Sequence, residues 1–339
     1  MSIKDRPRAA LIFGGRGLEH DVSVKGAEYV FPLIDEKFEK ILLYITRDGR
    51  WLKLSTLNDA TSALGEECYP TLRGIIGAEG FERIDVAFPL LHGDYGEDGV
   101  VQGALECAMI PYVGCDVHSS AVARDKCLLK LIARELGINT AEWVEYNGDI
   151  ESTASLCEEK LGYPLFVKPA RLGSSVGVAR AESREELTSA IKNAARLGSG
   201  RVIIEEYIKI ERELECAYFS SGGKEIFTHP GEIVCDGGFY DFDKKYVAQG
   251  ASVSPCARVS ESIANKVIEH SKALVKKIGL SGISRLDFFL SIGGTLYFNE
   301  INTMPGFTES SLYPALIEGY GIPARELISS LLSEKARRP

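Results

Sequence analysis

Asp287, Glu300 and Asn302 stand inside two apolar runs, LDFFLSI and TLYFNEIN, that are joined by Gly293-Gly294. Acids and amides among Phe, Leu and Ile need a partner that a sheet face does not itself provide. If the Gly-Gly pair makes a two-residue hairpin turn, Asp287 falls opposite Glu300 and Arg285 opposite Asn302. Residues directly opposite share one face, and Glu300 and Asn302, two positions apart, share it too. Facing carboxylates repel unless one is protonated or a cation lies between them. Two carboxylates and an amide oxygen suit a hard ion such as Mg²⁺, with phosphate oxygens completing its shell. The plainer reading is a solvated face of adjacent charges helped by Arg285. The neighbours Phe288, Phe289, Tyr297 and Phe298 argue against full exposure.

A Mg²⁺ ion with few protein ligands usually arrives with a nucleotide, so lysines for phosphate are expected. Lys168 interrupts the apolar strand PLFVKPA, and Lys126 opens an amphipathic helix. The loop RLGSSVG follows Lys168 closely, and its backbone N–H groups, Ser175 among them, could close over phosphates. Either lysine alone would read as a snorkelling surface side chain. There is no G-x-x-x-x-G-K-[ST], which excludes a P-loop enzyme. Gly173 to Gly177 also fits G-x-S-x-G, the nucleophile elbow of serine hydrolases. That elbow must run from strand directly into helix, whereas VGVARA reads as a strand and the next helix waits for Ser183.

Two N-terminal loops carry further candidates. FGGRGLEHDVS follows a strand, lacks the dinucleotide pattern G-x-G-x-x-G, and places Glu19 where a carboxylate could hold an ammonium group or simply favour a helix start. LHGDYGEDG puts His92, Glu97 and Asp98 at the end of a later strand. His270 lies near the apolar face of its helix and reads as a core or interface histidine.

These residues need a frame. The N-terminal part alternates strands and helices, which predicts a parallel sheet with its functional loops at the strand ends. Asp48-Gly49 marks a hairpin turn. VARDKCLLKLIARELGI reads as one helix with Ala123, Cys127, Leu128, Leu131 and Ile132 on its apolar face. A helix opens with the capping box Ser183 to Glu186. ELECAYFSSGGKEIF is a further hairpin, and a polar, Gly-rich connection runs from Gly231 to Pro255. A helix from Glu261 ends before Gly279. With 339 residues, 45% of them hydrophobic, the chain can bury two or three cores. A formal net charge of -9 argues against a nucleic-acid or membrane-surface binder. No apolar stretch is long enough for a membrane span. With an N-terminal apolar run too short for a signal peptide and eight cysteines without a C-x-x-C pair, the chain reads as a cytoplasmic protein with reduced thiols, and the lack of a metal-type Cys/His spacing argues against zinc.

Taken together, FGGRGLEHDVS, LHGDYGEDG, RDK, FVKPARLGSSVGV, IIEEYI with REL, FYDFDKKY, SRLDFF and NEINTMPGFTESSLYP resemble the D-alanine–D-alanine ligase family of the ATP-grasp fold, in the family's order and over nearly the whole chain. The resemblance implies three α/β domains: a parallel-sheet substrate domain over 1–121, a central ATP-grasp domain over 122–208, and a C-terminal domain over 209–339 with a closing loop at 231–255. It implies that Glu19 and Ser23 hold the ammonium of a first D-alanine. His92 would also contact substrate, while Glu19, Ser174 and Tyr246 form a hydrogen-bonded triad. Lys126, Lys168 and Ser175 would contact ATP phosphates, with Glu205 at the adenine and Glu213 at the ribose. Asp287, Glu300 and Asn302 would be ligands for two divalent ions, Mg²⁺ or Mn²⁺. Arg285 would stabilise developing charge, Lys245 and Tyr246 would belong to the closing loop, and Gly306, Ser311 and Leu312 would line the second D-alanine site.

Related resistance ligases that make D-alanyl-D-lactate or D-alanyl-D-serine carry Arg at the position of Leu312. The lactate makers also lack the Lys245-Tyr246 pair. Both features make this chain more similar to the dipeptide ligases, with a D-alanine–D-serine ligase as the alternative. A nucleotide-binding module without catalysis is more remote, and so is a serine hydrolase. The expected partners are two D-alanines, ATP and a second copy of the chain in a homodimer, with no nucleic acid or membrane.

Overall fold

RAALIFG forms strand β1 (Arg8–Gly14), in which every residue after Arg8 is buried, as a central parallel strand requires. The computed structural model describes residues 6–198, 200–235 and 251–336. In it β1 pairs in parallel with β2 (Glu39–Ile45) and with β7 (Val86–Pro89). The expected parallel sheet is confined to this centre. Beyond β2 the sheet continues antiparallel through β3 (Trp51–Leu54), β4 (Glu66–Thr71), β5 (Gly74–Gly77) and β6 (Gly80–Arg83). Connections as short as those between β4, β5 and β6 allow only hairpins. The segment 111–116 contributes a single bridge, from Tyr112 to Ala87. Helices α1 (His20–Val30) and α2 (Val100–Cys107) complete this region.

The amphipathic helix expected from Val122 onward is broken. Asp125 ends α3 (Val117–Arg124) and caps α4 (Lys126–Glu135), its carboxylate accepting from the Cys127 and Leu128 N–H groups. The break resets the helical phase. The buried face of α4 is Cys127, Leu129, Lys130 and Ala133, while Leu131, expected inside, is 55% exposed.

The central sheet is antiparallel, in the order β10 (Ala179–Ala181), β9 (Leu165–Pro169), β11 (Val202–Glu206), β8 (Trp143–Glu145). Its face is covered by α5 (Ile150–Lys160) and α6 (Arg184–Leu197), with Cys157, Leu165, Leu187, Ile191 and Ile204 in one core. The cap of α6 is half the expected box: Ser183 accepts from Glu186 N–H, but the Glu186 side chain reaches Glu182 N–H rather than that of Ser183.

The third sheet runs β15 (Ala251–Ser254), β14 (Gly231–Cys235), β12 (Ile210–Ser221), β16 (Ile283–Ser291), β17 (Leu296–Asn302), with β13 (Lys224–Phe227) paired to β12. The connection expected to be a loop from Gly231 to Pro255 therefore begins and ends as paired strands. Helix α7 (Glu261–Ile278) packs on this sheet and stops at Gly279, φ 80°. Helix α4, assigned from sequence to the central domain, also packs here: Leu129 and Ala133 join Leu286, Phe288 and Phe298. The last helices, α8 (Leu312–Gly319) and α9 (Ala324–Ala336), close the first sheet, burying Tyr313, Leu327, Ile328 and Leu331 with Leu11, Phe13 and Phe88.

Candidate active site

The acid-bearing hairpin is made by β16 and β17, but not through the expected two-residue turn. Ser291 N–H donates to the Thr295 carbonyl, so Ile292 to Gly294 form a three-residue loop with Gly294 at φ 77°. Strand pairing starts one residue out of the expected register, Leu290 with Leu296 and Phe288 with Phe298. A bulge at Asn299 then adds the missing residue. Asp287 lies opposite Glu300 and Arg285 opposite Asn302. The bulge also turns Phe298 into the core with Phe288, and sets Tyr297 opposite Phe289.

Each charge on this face meets an opposite one. Arg285 donates through Nε and Nη2 to both oxygens of Asp287, at 2.8 and 2.7 Å. Its Nε is also 2.9 Å from Glu215, on the neighbouring strand β12. Asn302 Nδ2 lies 3.0 Å from Asp287. Burial works against the Arg285 charge, but Asp287 and Glu215 outweigh it and push its pKa further up. Glu300 lies 3.3 Å from the Lys126 ammonium, which also donates to the Leu172 carbonyl at 2.8 Å. Two carboxylates and an amide on one face form an oxygen donor set that fits a hard divalent ion.

Lys168, on β9, contacts Glu205, on β11, at 2.6 Å, and Lys130, on α4, contacts the other Glu205 oxygen at 2.9 Å. Burial would raise the Glu205 carboxyl, yet Lys130 and Lys168 together hold it down at about 2. Lys126 takes its place from the cap below it. Asp125, 1% exposed, also pairs with Arg171 and Arg201 at 2.9 and 3.0 Å. Lys126, Lys130, Lys168, Glu205, Arg285, Asp287 and Glu300, with Ser174, Ser175, Glu213, Phe289 and Tyr297, line a solvent-open cleft of about 1100 Å³ between the central and third sheets. Glu213 lies opposite Phe289, two residues before Glu215 on one face of β12.

The glycine loop runs from β9 into β10, strand to strand, so the elbow topology of a serine hydrolase is missing. Ser174 and Ser175 hold φ of 52° and 57°, a left-handed conformation that non-glycine residues rarely adopt. This turns the Ser174 hydroxyl onto the Glu19 carboxylate, to which it donates. Glu19 stands at the N-terminal boundary of α1 without a side-chain cap bond, and its carboxylate presses against Gly93. There, a Cβ on Gly93 would come within 2.1 Å of the Glu19 carboxylate. Beside it Arg124 contacts Glu97 at 3.1 Å and Asp94 at 3.0 Å. Burial pushes the Glu97 carboxyl up to about 7, against the pull of Arg124.

Other sequence candidates do different work. Ser23 is fully buried; it accepts from Gly14 N–H at 2.8 Å and donates to the Leu90 carbonyl, tying strand ends together. The His92 ring nitrogen Nδ1 lies 3.0 Å from the Met304 carbonyl and links its loop to the segment after β17. Ser311 Oγ accepts from Thr308 N–H at 2.9 Å, and a Cβ on Gly306 would come within 3.0 Å of it. Leu312 is buried in the core with Phe307 and Tyr313. His270 is half-buried beside the Phe288 ring. Lys245 and Tyr246, with 236–250 as a whole, lie outside the described residues.

Sequence reasoning assigned no role to Arg124, Asp125, Lys130 or Glu215. Two of them were signalled by period: Lys130 is one helical turn from Lys126, and Glu215 is two strand positions from Glu213. Arg124 and Asp125 had only their place inside the RDK motif.

An antiparallel sheet with a glycine loop, facing a second sheet that carries paired acids across a cleft of lysines, defines an ATP-grasp enzyme. A solved structure, the VanG D-Ala:D-Ser ligase from Enterococcus faecalis, superposes with a TM-score of 0.88 at 33% identity, over 98% of this chain and 100% of that one. Family profiles described as D-ala D-ala ligase N-terminus and C-terminus match residues 8–115 and 132–333. A D-alanine--D-alanine ligase of Chlorobium luteolum is 40% identical over 95% of both chains. One of Acetivibrio thermocellus is 38% identical over 98% of this chain and 97% of its own. The chain belongs to the D-alanine–D-alanine ligase family.

Proposed function

We propose that the protein joins two D-alanines into D-alanyl-D-alanine at the expense of ATP, for peptidoglycan precursor synthesis. The observation that carries this reading is the cleft face on which Arg285, Asp287, Glu300, Asn302, Lys126 and Lys168 converge, in a chain of this family. The carboxylate of the first D-alanine attacks the γ-phosphate, giving D-alanyl phosphate and ADP. The amine of the second attacks that carbonyl, loses a proton, and phosphate leaves. No protein nucleophile is needed, so the chain's work is positioning and electrostatic stabilisation.

Lys126 and Lys168 move from Glu300 and Glu205 onto phosphate oxygens. Asp287, Glu300 and Asn302 would hold two divalent ions, Mg²⁺ or Mn²⁺, which would supply positive charge against the phosphates. Arg285, held by Glu215, offsets charge on the acyl phosphate and the tetrahedral species. Glu19 with Ser174, joined by Tyr246, receives the first ammonium group, while Gly306, Ser311 and Leu312 shape the second site from behind. We take the segments 1–121, 122–208 and 209–339 as the domains, with α4 bridging the last two. We place the protein in the cytoplasm as a homodimer; no helix among the described residues is long and apolar enough to cross a membrane.

The D-alanine–D-serine reading has the VanG structure in its favour and the apolar Leu312 against it. Incubation with ATP, Mg²⁺ and D-alanine, alone or with D-serine or D-lactate, should release phosphate and give a product with the mass of D-alanyl-D-alanine. A mixed product alone would overturn the specificity. No phosphate release under any condition would overturn the ligase itself.

A further inference from the structure

We infer that Lys130 is a positioning residue for the nucleotide: it keeps Glu205 paired, so that Lys168 can leave Glu205 for a phosphate. The inference rests on the reading of this cleft as an ATP site. Lys130 is 1% exposed, and its ammonium is 2.9 Å from one oxygen of Glu205. It also donates to the Ala141 carbonyl at 3.1 Å and lies 5.6 Å from the centre of the Trp143 ring. The ammonium is thus committed on several sides and is not a candidate for phosphate. Lys168 holds the other oxygen of Glu205 at 2.6 Å.

The charge count gives Lys130 its role. A lone buried Lys168–Glu205 pair would resist separation, because drawing the lysine away strands a buried carboxylate. With Lys130 present, the three groups carry one net positive charge, and Glu205 keeps a partner when Lys168 turns to an anion. Burial lowers the pKa of Lys130 while Glu205 supports its charge, so the two maintain each other's ionisation. Lys126 and Lys130, four residues apart on α4, bring a phosphate lysine and its supporting lysine into the cleft on one helix face.

The test is a double-mutant cycle on the full-length protein, read by calorimetric titration with MgADP and by steady-state kinetics. Lys130→Met should weaken MgADP binding and raise the KM for ATP by roughly tenfold or more, the scale of stranding one member of a buried pair. Its kcat and its KM for D-alanine should hold. Lys130→Arg should restore most of the affinity, since the positive charge remains. In a Glu205→Gln background, Lys130→Met should cost little further affinity, because no carboxylate then competes for Lys168. This arm stands even where the single variant folds poorly. Unchanged MgADP affinity in Lys130→Met would overturn the inference. So would an equal loss in both backgrounds, or a fall in melting temperature and kcat together with a rise in both KM values and no rescue by Arg. Absence of D-alanine turnover in the unsubstituted protein would indict only the ligase reading, because the ADP titration reads Lys130 without turnover.

Discussion

Glu300 faces two demands at once, opposite Asp287 in the sheet and 3.3 Å from Lys126 across the cleft. Glu300→Gln keeps its shape and removes its charge. Turnover should fall by roughly a hundredfold or more, the scale of deleting one electrostatic stabiliser, with the circular dichroism spectrum unchanged. Unimpaired phosphate release would remove Glu300 from the metal-binding set. Glu97 makes a pH test. Its carboxyl stands at about 7 in the fold against an ordinary 4.5, first because it is buried and further because Glu19 is near, with Arg124 opposing. The folded state therefore binds this proton more tightly than the unfolded chain. The stability it contributes is complete below about 4.5 and is lost as pH rises through about 7. Chemical denaturation across that window should show stability falling with a slope of up to about 1.4 kcal/mol per pH unit from this group. Glu97→Gln should flatten that slope. A slope that survives the substitution would mean that Arg124 keeps the carboxylate ionised.

At the scale of elements, α4 is the piece that aims the lysines, and Asp125 aims α4. It caps two N–H groups and neutralises Arg171 and Arg201 while almost fully buried. Asp125→Ala should lower stability by about 1 kcal/mol for the cap alone, and by more because two guanidinium groups lose their shared partner. Lys126 should lose its aim, so the KM for ATP should rise more than the KM for D-alanine. A lower melting temperature with both KM values unchanged would separate the cap from the phosphate site. The β16–β17 hairpin teaches a related lesson. Its turn is one residue longer than expected, and a bulge returns the register by one residue before the acids are reached. A bulge re-aims side chains at the point where it sits, and here that point is the face that carries Asp287 and Glu300.

At the scale of the molecule, the three sheets do not have three separate cores. On one face the first sheet shares a core with α8 and α9 from the far end of the chain, while its other face packs a separate core with α2; the central sheet has a core of its own. Residues 1–121 expressed alone should therefore expose Leu11, Phe13 and Phe88 and show no cooperative melting transition. Residues 141–208 alone should melt cooperatively. A cooperative transition in the first fragment would show that α8 and α9 are dispensable to it. The shared core also explains why His92 and Met304, 212 positions apart, are in contact: the helices that close the first sheet carry the segment 303–311 with them.

Chemistry written at fixed spacing was legible in the sequence. Asp287, Glu300 and Asn302 share a face because strand period is local, and Lys168 announced itself by interrupting an apolar strand. The strand-to-strand course of the glycine loop was legible for the same reason. What needed the third dimension was every partner brought from a distance. Nothing local says that Glu19 meets Ser174, that Glu205 lies between Lys130 and Lys168, or that Arg285 has Glu215 on its other side. The apolar face of α4 was misread because a single buried cap at Asp125 resets the helical phase, and only packing against the third sheet decides which side turns in. Local periods are set by backbone geometry, which each residue carries with it. Pairings of buried charge are set by which elements the cores bring together, and that is a property of the assembled chain.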